Sequence, residues 1–402
     1  MVLFNSNRSL TWALAALVSL SVSPEISIVS AKKSKGCKKH GSKVTEDSSN
    51  TGGLGYGLGP GDSIEFMREV PDTQQLTHRL TLPNNYDPMG TPPPLMLFFH
   101  GWGGNYGSCG DRCFVDAPEK GFVSVSMTGY GDTGWNSWNF AGSSSSPGPD
   151  GATCEEGAAD YCPNYGESQG CDCSQADNCW WTTCHDSVAQ VLSILDEVQD
   201  EICIDLDRVW AVGSSNGGMF TFELASDHRS APRLAGIVPI IGLPHNGYST
   251  GPFADGMSMF GMFGVSDTTV PPISNTDDPN KTLDTYNGVY YGGGWYYTSL
   301  EKVMMDWTKG SGCKGEGQDS LIDDYGVSSY EGLTCTQGCS EKKDSTHVVS
   351  CLFEGGHESY SDEIWEPAFN FMLAPRKKTK GSGKSPKMSK KGKKGSKKGK
   401  KN

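Results

Sequence analysis

Short runs dominated by apolar residues punctuate the middle of this chain. Leu95-Met96-Leu97-Phe98-Phe99, Gly121 to Met127, Arg208 to Val212, Leu234 to Ile241, Met257 to Val265 and His347 to Phe353 are of this kind. A strand with one wet face alternates between apolar and polar residues, whereas a strand covered on both faces does not. These runs therefore predict strands inside a parallel sheet, and Leu80 to Pro83 adds a strand that runs into a turn. Between them the period changes. Val188, Val191, Leu192, Leu195 and Val198 recur at helical spacing within Asp186 to Val198. Gly218 to Ala225, Leu300 to Trp307 and Glu363 to Leu373 also read as helices. Strands alternating with helices imply crossover connections and an α/β class, here as one domain over residues 61–375.

The flanks lack this pattern. Arg8, the apolar stretch Leu10 to Val22 and the small residues Val29-Ser30-Ala31 have the layout of a secretory signal peptide over residues 1–31. The apolar stretch is too short for a membrane span, so the mature protein is expected to be secreted without one, and its basic tail allows cell-wall association. Residues 32–60, rich in Lys, Ser and Gly, read as a flexible arm. Residues 376–402 carry 13 Lys, one Arg and no acid, a charge of +14 that leaves −27 for residues 1–375 out of −13 overall. Such a tail has nothing to bury and is expected to be disordered. Its partner is expected to be an anionic polymer or a mineral surface, and the signal peptide argues against nucleic acid.

Fourteen cysteines change the picture further, six of them between Cys154 and Cys184. Residues 132–184 hold an insertion rich in Gly, Ser, Cys and Trp. A zinc reading of Cys171-Asp172-Cys173 yields to disulfides in a secreted chain, although spacing alone does not fix the connectivity. No metal and no organic cofactor is called for.

The chemistry centres on Gly213-Ser214-Ser215-Asn216-Gly217, between a strand and a helix. In that setting G-x-S-x-G forms a nucleophile elbow, and Ser215 is the candidate nucleophile. A serine hydroxyl needs a base, and in this arrangement the order is Ser, acid, His. His347 and His357 lie late enough. His357, in the loop after a strand, is favoured over His347, which starts one. Asp267, just past the strand ending at Val265, is the candidate acid ahead of Asp277 and Asp278. The oxyanion needs two N–H donors, expected from Asn216 and from Trp102 within His100-Gly101-Trp102-Gly103-Gly104. His100 as a metal ligand has no second ligand at suitable spacing. His245, Trp138 and Trp181 are candidates for substrate contact.

These motifs stand together in register. His100 to Gly104, Ile204 to Val209 leading into Gly213 to Met219, Asp267-Thr268-Thr269-Val270-Pro271, Trp307 to Cys313 and Gly355-Gly356-His357 resemble the secreted polyhydroxybutyrate-depolymerase-type esterases, a family that includes feruloyl and acetylxylan esterases. The resemblance runs from about Leu80 to Leu373. It departs at Phe263-Gly264, where the family commonly has His-Gly, and in the Cys-rich insertion. It implies an α/β-hydrolase fold, a mostly parallel sheet with helices on both faces, and a Ser215–Asp267–His357 triad. The activity it implies is hydrolysis of carboxylic esters on a polysaccharide, or of a polyester, through an acyl-enzyme. Two rivals are a serine peptidase on the same fold and a non-catalytic wall- or mineral-binding protein that keeps the scaffold.

Overall fold

The computed structural model describes residues 31–39, 54, 57–69, 75–158, 161, 179–254, 256–287, 293–312, 323–339 and 346–374. All but the last residue of the expected signal peptide, and the Lys-rich tail, lie outside these residues, as do Cys162, Cys171, Cys173 and Cys313.

Eleven strands are present among the described residues: β1 Ser63–Glu69, β2 Gln75–Thr81, β3 Leu95–Phe99, β4 Val123–Met127, β5 Val209–Ser214, β6 Gly236–Ile240, β7 Ser258–Gly264, β8 Lys281–Leu283, β9 Tyr296–Thr298, β10 Thr334–Gln337 and β11 Val348–Phe353. Nine of them form one sheet in the order β1-β2-β4-β3-β5-β6-β7-β11-β10. The six from β4 to β11 run parallel, and the outer strands are antiparallel. The continuous apolar runs are these six parallel strands, and all but one of their residues are buried. Alternate side chains feed two separate cores. Leu95, Leu97 and Phe99 enter one, while Met96 and Phe98 enter the other. The sheet is therefore a wall between two layers of helix, as in an α/β-hydrolase.

Helices α1 Gly36–Lys39 and α2 Ala117–Glu119 are single turns. The longer helices are α3 Ser187–Glu201, α4 Asn216–Ser226, α5 Leu300–Gly310 and α6 Asp362–Leu373. The side chain of Asp186 caps α3 by accepting the Ala189 N–H at 2.9 Å. Val188, Val191, Ile194, Leu195 and Val198 of α3 fill the first core, each worth about 1.5–3 kcal/mol of burial, while Leu192 sits at its margin. Helix α6 packs Ile364, Trp365, Phe369 and Phe371 into the second core.

Part of the expected flexible arm is docked. Ser34 N–H donates to the Ile204 carbonyl at 3.1 Å, and Cys37 is disulfide-bonded to Cys203. That bond ties residues 166 positions apart, a pairing that spacing could not disclose. Cys154–Cys179 closes the insertion on itself. Cys109–Cys113 and Cys335–Cys351 are also bonded, as are Cys184 and Cys339. Disulfides in this number are the mark of chains that fold in an oxidising compartment.

Candidate active site

Ser215 stands at the carboxyl edge of the sheet between β5 and α4, with φ 54° and ψ −121°. This is left-handed backbone that a residue with a Cβ adopts only under strain. Its neighbours are glycines for a steric reason. A Cβ on Gly213 would lie 2.2 Å from the Gly217 carbonyl oxygen, and one on Gly217 would lie 2.1 Å from the Phe99 carbonyl oxygen. The strained turn is held by the Ser215 N–H, which donates to Ile240 at 2.9 Å.

His357 Nε2 lies 2.8 Å from Ser215 Oγ, and its Nδ1 lies 2.7 Å from Asp267 Oδ2. An ionised carboxylate only accepts, so Nδ1 carries the proton and Nε2 faces the hydroxyl as acceptor. Asp267 is buried, and its other oxygen accepts the Thr269 and Val270 N–H groups at 2.8 and 2.9 Å. The loops bearing the acid and the base are laced together: Ser266 N–H donates to Gly355 at 2.8 Å, and a Cβ on Gly264 would meet the Gly356 carbonyl at 2.1 Å. Asp277 and Asp278 are exposed, and His347 bonds the Tyr325 hydroxyl instead.

The loop after β3 passes close over the nucleophile. A Cβ on Gly101 would lie 3.3 Å from Ser215 Cβ. His100 beneath it is fully buried and is no metal ligand. Its Nε2 accepts the Gly129 N–H at 2.9 Å, so its Nδ1 donates to the Gly101 carbonyl at 2.6 Å. Burial pushes this imidazole down to about 4, and it is neutral at pH 7. Asn216 opens α4, where first-turn N–H groups have no acceptor within the helix and the dipole favours an anion. Its side chain exchanges two hydrogen bonds with the Trp138 backbone, at 2.8 and 3.1 Å.

A cavity of about 340 Å³ opens at Ser215, lined by Met219, Ile241, Thr269 and Val270 and by six aromatic residues. These are Trp102, Tyr161, Trp181, Trp295, Tyr297 and Tyr360. The three residues expected to contact substrate separate here. Trp181 lines the cavity. Trp138 and His245 do not, which corrects that expectation: both are fully buried behind the lining. Trp138 stacks on Phe220 of α4 and donates its indole N–H to the His100 carbonyl at 3.1 Å. Its ring supports the nucleophile turn from below. Trp295 and Tyr297 flank or belong to the β8–β9 hairpin, which the sequence reading passed over. The consecutive Trp295-Tyr296-Tyr297 was the available signal. Asp132, Cys184 and His185 converge within metal-binding reach, but Cys184 is disulfide-bonded and offers no thiolate.

No protein-family model and no curated protein matches the chain. Among solved structures, it aligns with an acetyl xylan esterase from Aspergillus awamori at 10% identity and a TM-score of 0.42, over 77% of this chain and 99% of that one. It aligns with Thermogutta terrifontis esterase 2 at 12% and 0.39, over 77% and 90%. With the Bacillus cereus carboxylesterase the values are 15% and 0.37, over 70% and 87%. Likeness at these scores carries no argument about activity. The chemistry rests on the geometry of this chain alone.

Proposed function

We propose that the protein is a serine carboxylic-ester hydrolase. The observation that carries this reading is the hydrogen-bonded line Asp267–His357–Ser215 ending at the mouth of a cavity. In this reading Ser215 Oγ attacks the ester carbonyl carbon while His357 Nε2 takes its proton. Asp267 holds the imidazole in that tautomer and stabilises its charged form. The carbonyl oxygen becomes an oxyanion held by the backbone N–H groups of Asn216 and Trp102. The tetrahedral intermediate expels the alcohol, which takes the proton from His357. Water then cleaves the acyl-enzyme by the same steps.

The aromatic lining and the motif register favour esters carried by a polysaccharide, or a polyester, as in the feruloyl, acetylxylan and polyhydroxybutyrate-depolymerase group. The disulfides and the signal-like N-terminus favour secretion. The Lys-rich tail supplies an electrostatic hold on an anionic polymer or mineral, and its removal should abolish salt-sensitive retention on such a matrix. The test of activity compares wild type with Ser215→Ala on p-nitrophenyl acetate, methyl ferulate and a polyhydroxybutyrate suspension. Hydrolysis that depends on Ser215 is expected. Equal turnover by the variant rejects Ser215 as the nucleophile, and no turnover of any ester by wild type rejects the reading and leaves the serine peptidase or the non-catalytic binding protein.

A further inference from the structure

His245 is buried with no surface exposed, follows β6, and takes no part in the triad. Its ring is held flat between two others. Phe140 lies on one side at 5.4 Å and 9°, and Tyr297 on the other at 5.0 Å and 14°. Both ring nitrogens are used. Trp181 Nε1–H lies 2.9 Å from His245 Nε2. An indole nitrogen only donates, so Nε2 must be the unprotonated acceptor and Nδ1 must donate to the Tyr296 carbonyl, 2.9 Å away. A protonated imidazole would have no acceptor to offer. The single tautomer that fits leaves His245 neutral, as its burial also favours.

Trp181 lines the cavity at Ser215 and meets Trp295, another lining residue, at 6.0 Å. Its main chain is fixed by other means: its N–H donates to the Ser143 carbonyl at 3.0 Å, and its carbonyl takes the Trp102 indole N–H, also at 3.0 Å. The ring has a different anchor, His245. We propose that His245 is a positioning residue that fixes the Trp181 ring in the cavity wall and thereby sets which esters fit. This rests on the esterase reading for its consequence but not for its geometry. Removing the acceptor frees the Trp181 ring, and His245→Leu, unlike loss of the hydrogen bond alone, also takes away the stack on Tyr297, a second wall residue. It leaves Ser215, His357, Asp267 and the loop at Trp102 in place. The grip on large acyl groups should therefore weaken relative to small ones, through KM more than kcat.

Two measurements test it. In ¹⁵N-labelled protein, Trp181→Phe identifies the indole resonance of Trp181. His245→Leu should move that resonance upfield, and His245→Gln, which keeps a carbonyl acceptor, should restore it in part. A resonance in the same place in wild type and His245→Leu overturns the proposal, whether or not any ester is cleaved. In kinetics on p-nitrophenyl acetate and p-nitrophenyl benzoate, His245→Leu should raise KM for the benzoate relative to the acetate about three- to tenfold, the effect of one neutral hydrogen bond. Trp181→Phe should shift the same ratio, the double variant should add little to either, and His245→Gln should recover much of the loss. Additive effects, or an equal fall of kcat on both esters with KM unchanged, would overturn it. Should wild type cleave neither of these two esters, the resonance alone decides the role of His245, and the function is decided by the wider ester panel above.

Discussion

The turn that presents Ser215 and the wall that surrounds it are built in opposite ways. The turn is made of backbone, with glycines 213 and 217 packed against main-chain carbonyls and a serine held in left-handed conformation. Its own residues are five in a row, packed on the Phe99 carbonyl and tied to Ile240. The wall is made of side chains, among them Trp102 after β3, Trp181 from the insertion, Tyr297 of the β8–β9 hairpin and Tyr360 after the histidine loop. Its parts are brought together only by the finished fold. A turn of this kind is all or none, because no neighbour can move to admit a methyl group. A wall of this kind can be altered in small steps. The reaction is thus fixed by the first region, and the choice of ester is left to the second.

The sharpest way to break this comparison is at the turn. Ser215→Ala should lower kcat by a factor of about 10⁴–10⁶, and Asp267→Asn by about 10⁴, with KM nearly unchanged, in steady-state ester hydrolysis. A loss confined to KM would place Ser215 in the wall. Gly217→Ala should remove activity as well, because its new methyl would collide with the Phe99 carbonyl.

Acid tests the scaffold behind both regions. Burial lowers His78 to about 3 and His100 and His245 to about 4, so each imidazole is neutral in the folded chain. Below pH 6.5 the unfolded chain binds the extra protons, and stability falls as pH drops from 6.5 toward those values. Between pH 7 and 5 each contributes a loss of about 2 kcal/mol. Asp284, raised by burial to about 7, works the other way: its unfolded carboxyl is ionised in that window while the folded one holds its proton, which offsets about 2.5 kcal/mol. The net expectation is roughly 3 kcal/mol less stability at pH 5 than at pH 7, read from urea midpoints. A higher midpoint at pH 5 would show that the histidines are not buried as neutral bases.

Smaller effects separate stability from chemistry. Cys37→Ala with Cys203→Ala should cost about 2–4 kcal/mol of stability in denaturant titrations and leave kcat alone, because Cys203 precedes the start of β5 whereas Ser215 follows its end. Trp135, whose ring lies tilted against Trp102 at 5.1 Å and is 39% exposed, should matter least. Trp135→Ala is expected to raise KM by less than about fivefold for any ester, the worth of one exposed ring contact.

The same contrast explains what could be read from sequence. Parallel strands buried on both faces are continuous apolar runs, and β3 to β7 and β11 were legible for that reason. The grouping of Ser215, Asp267 and His357 was legible because chain order and loop position narrow the choice of acid and base. Edge strands β1 and β10 were not, since Ser-Ile-Glu-Phe-Met-Arg-Glu and Thr-Cys-Thr-Gln each bury only one residue and carry a weak pattern. The placement of Trp138 and His245 was beyond reach because a loop aromatic in a sequence gives no sign of which side of a wall it occupies. The docking of Ser34 depends on a disulfide partner that lies 166 residues from Cys37.

That docked segment has a consequence for how the molecule meets a surface. Cys37 is stapled to Cys203, which lies just ahead of the start of β5, whereas Ser215 follows its end. At the other terminus, α6 delivers Asn370 to the Tyr325 carbonyl, and Tyr325 bonds His347 just before β11 begins. Both described ends of the chain therefore emerge on the side where the parallel strands start, and the cavity opens on the side where they finish. Whatever follows Ala374 therefore starts from the face opposite the mouth at Ser215.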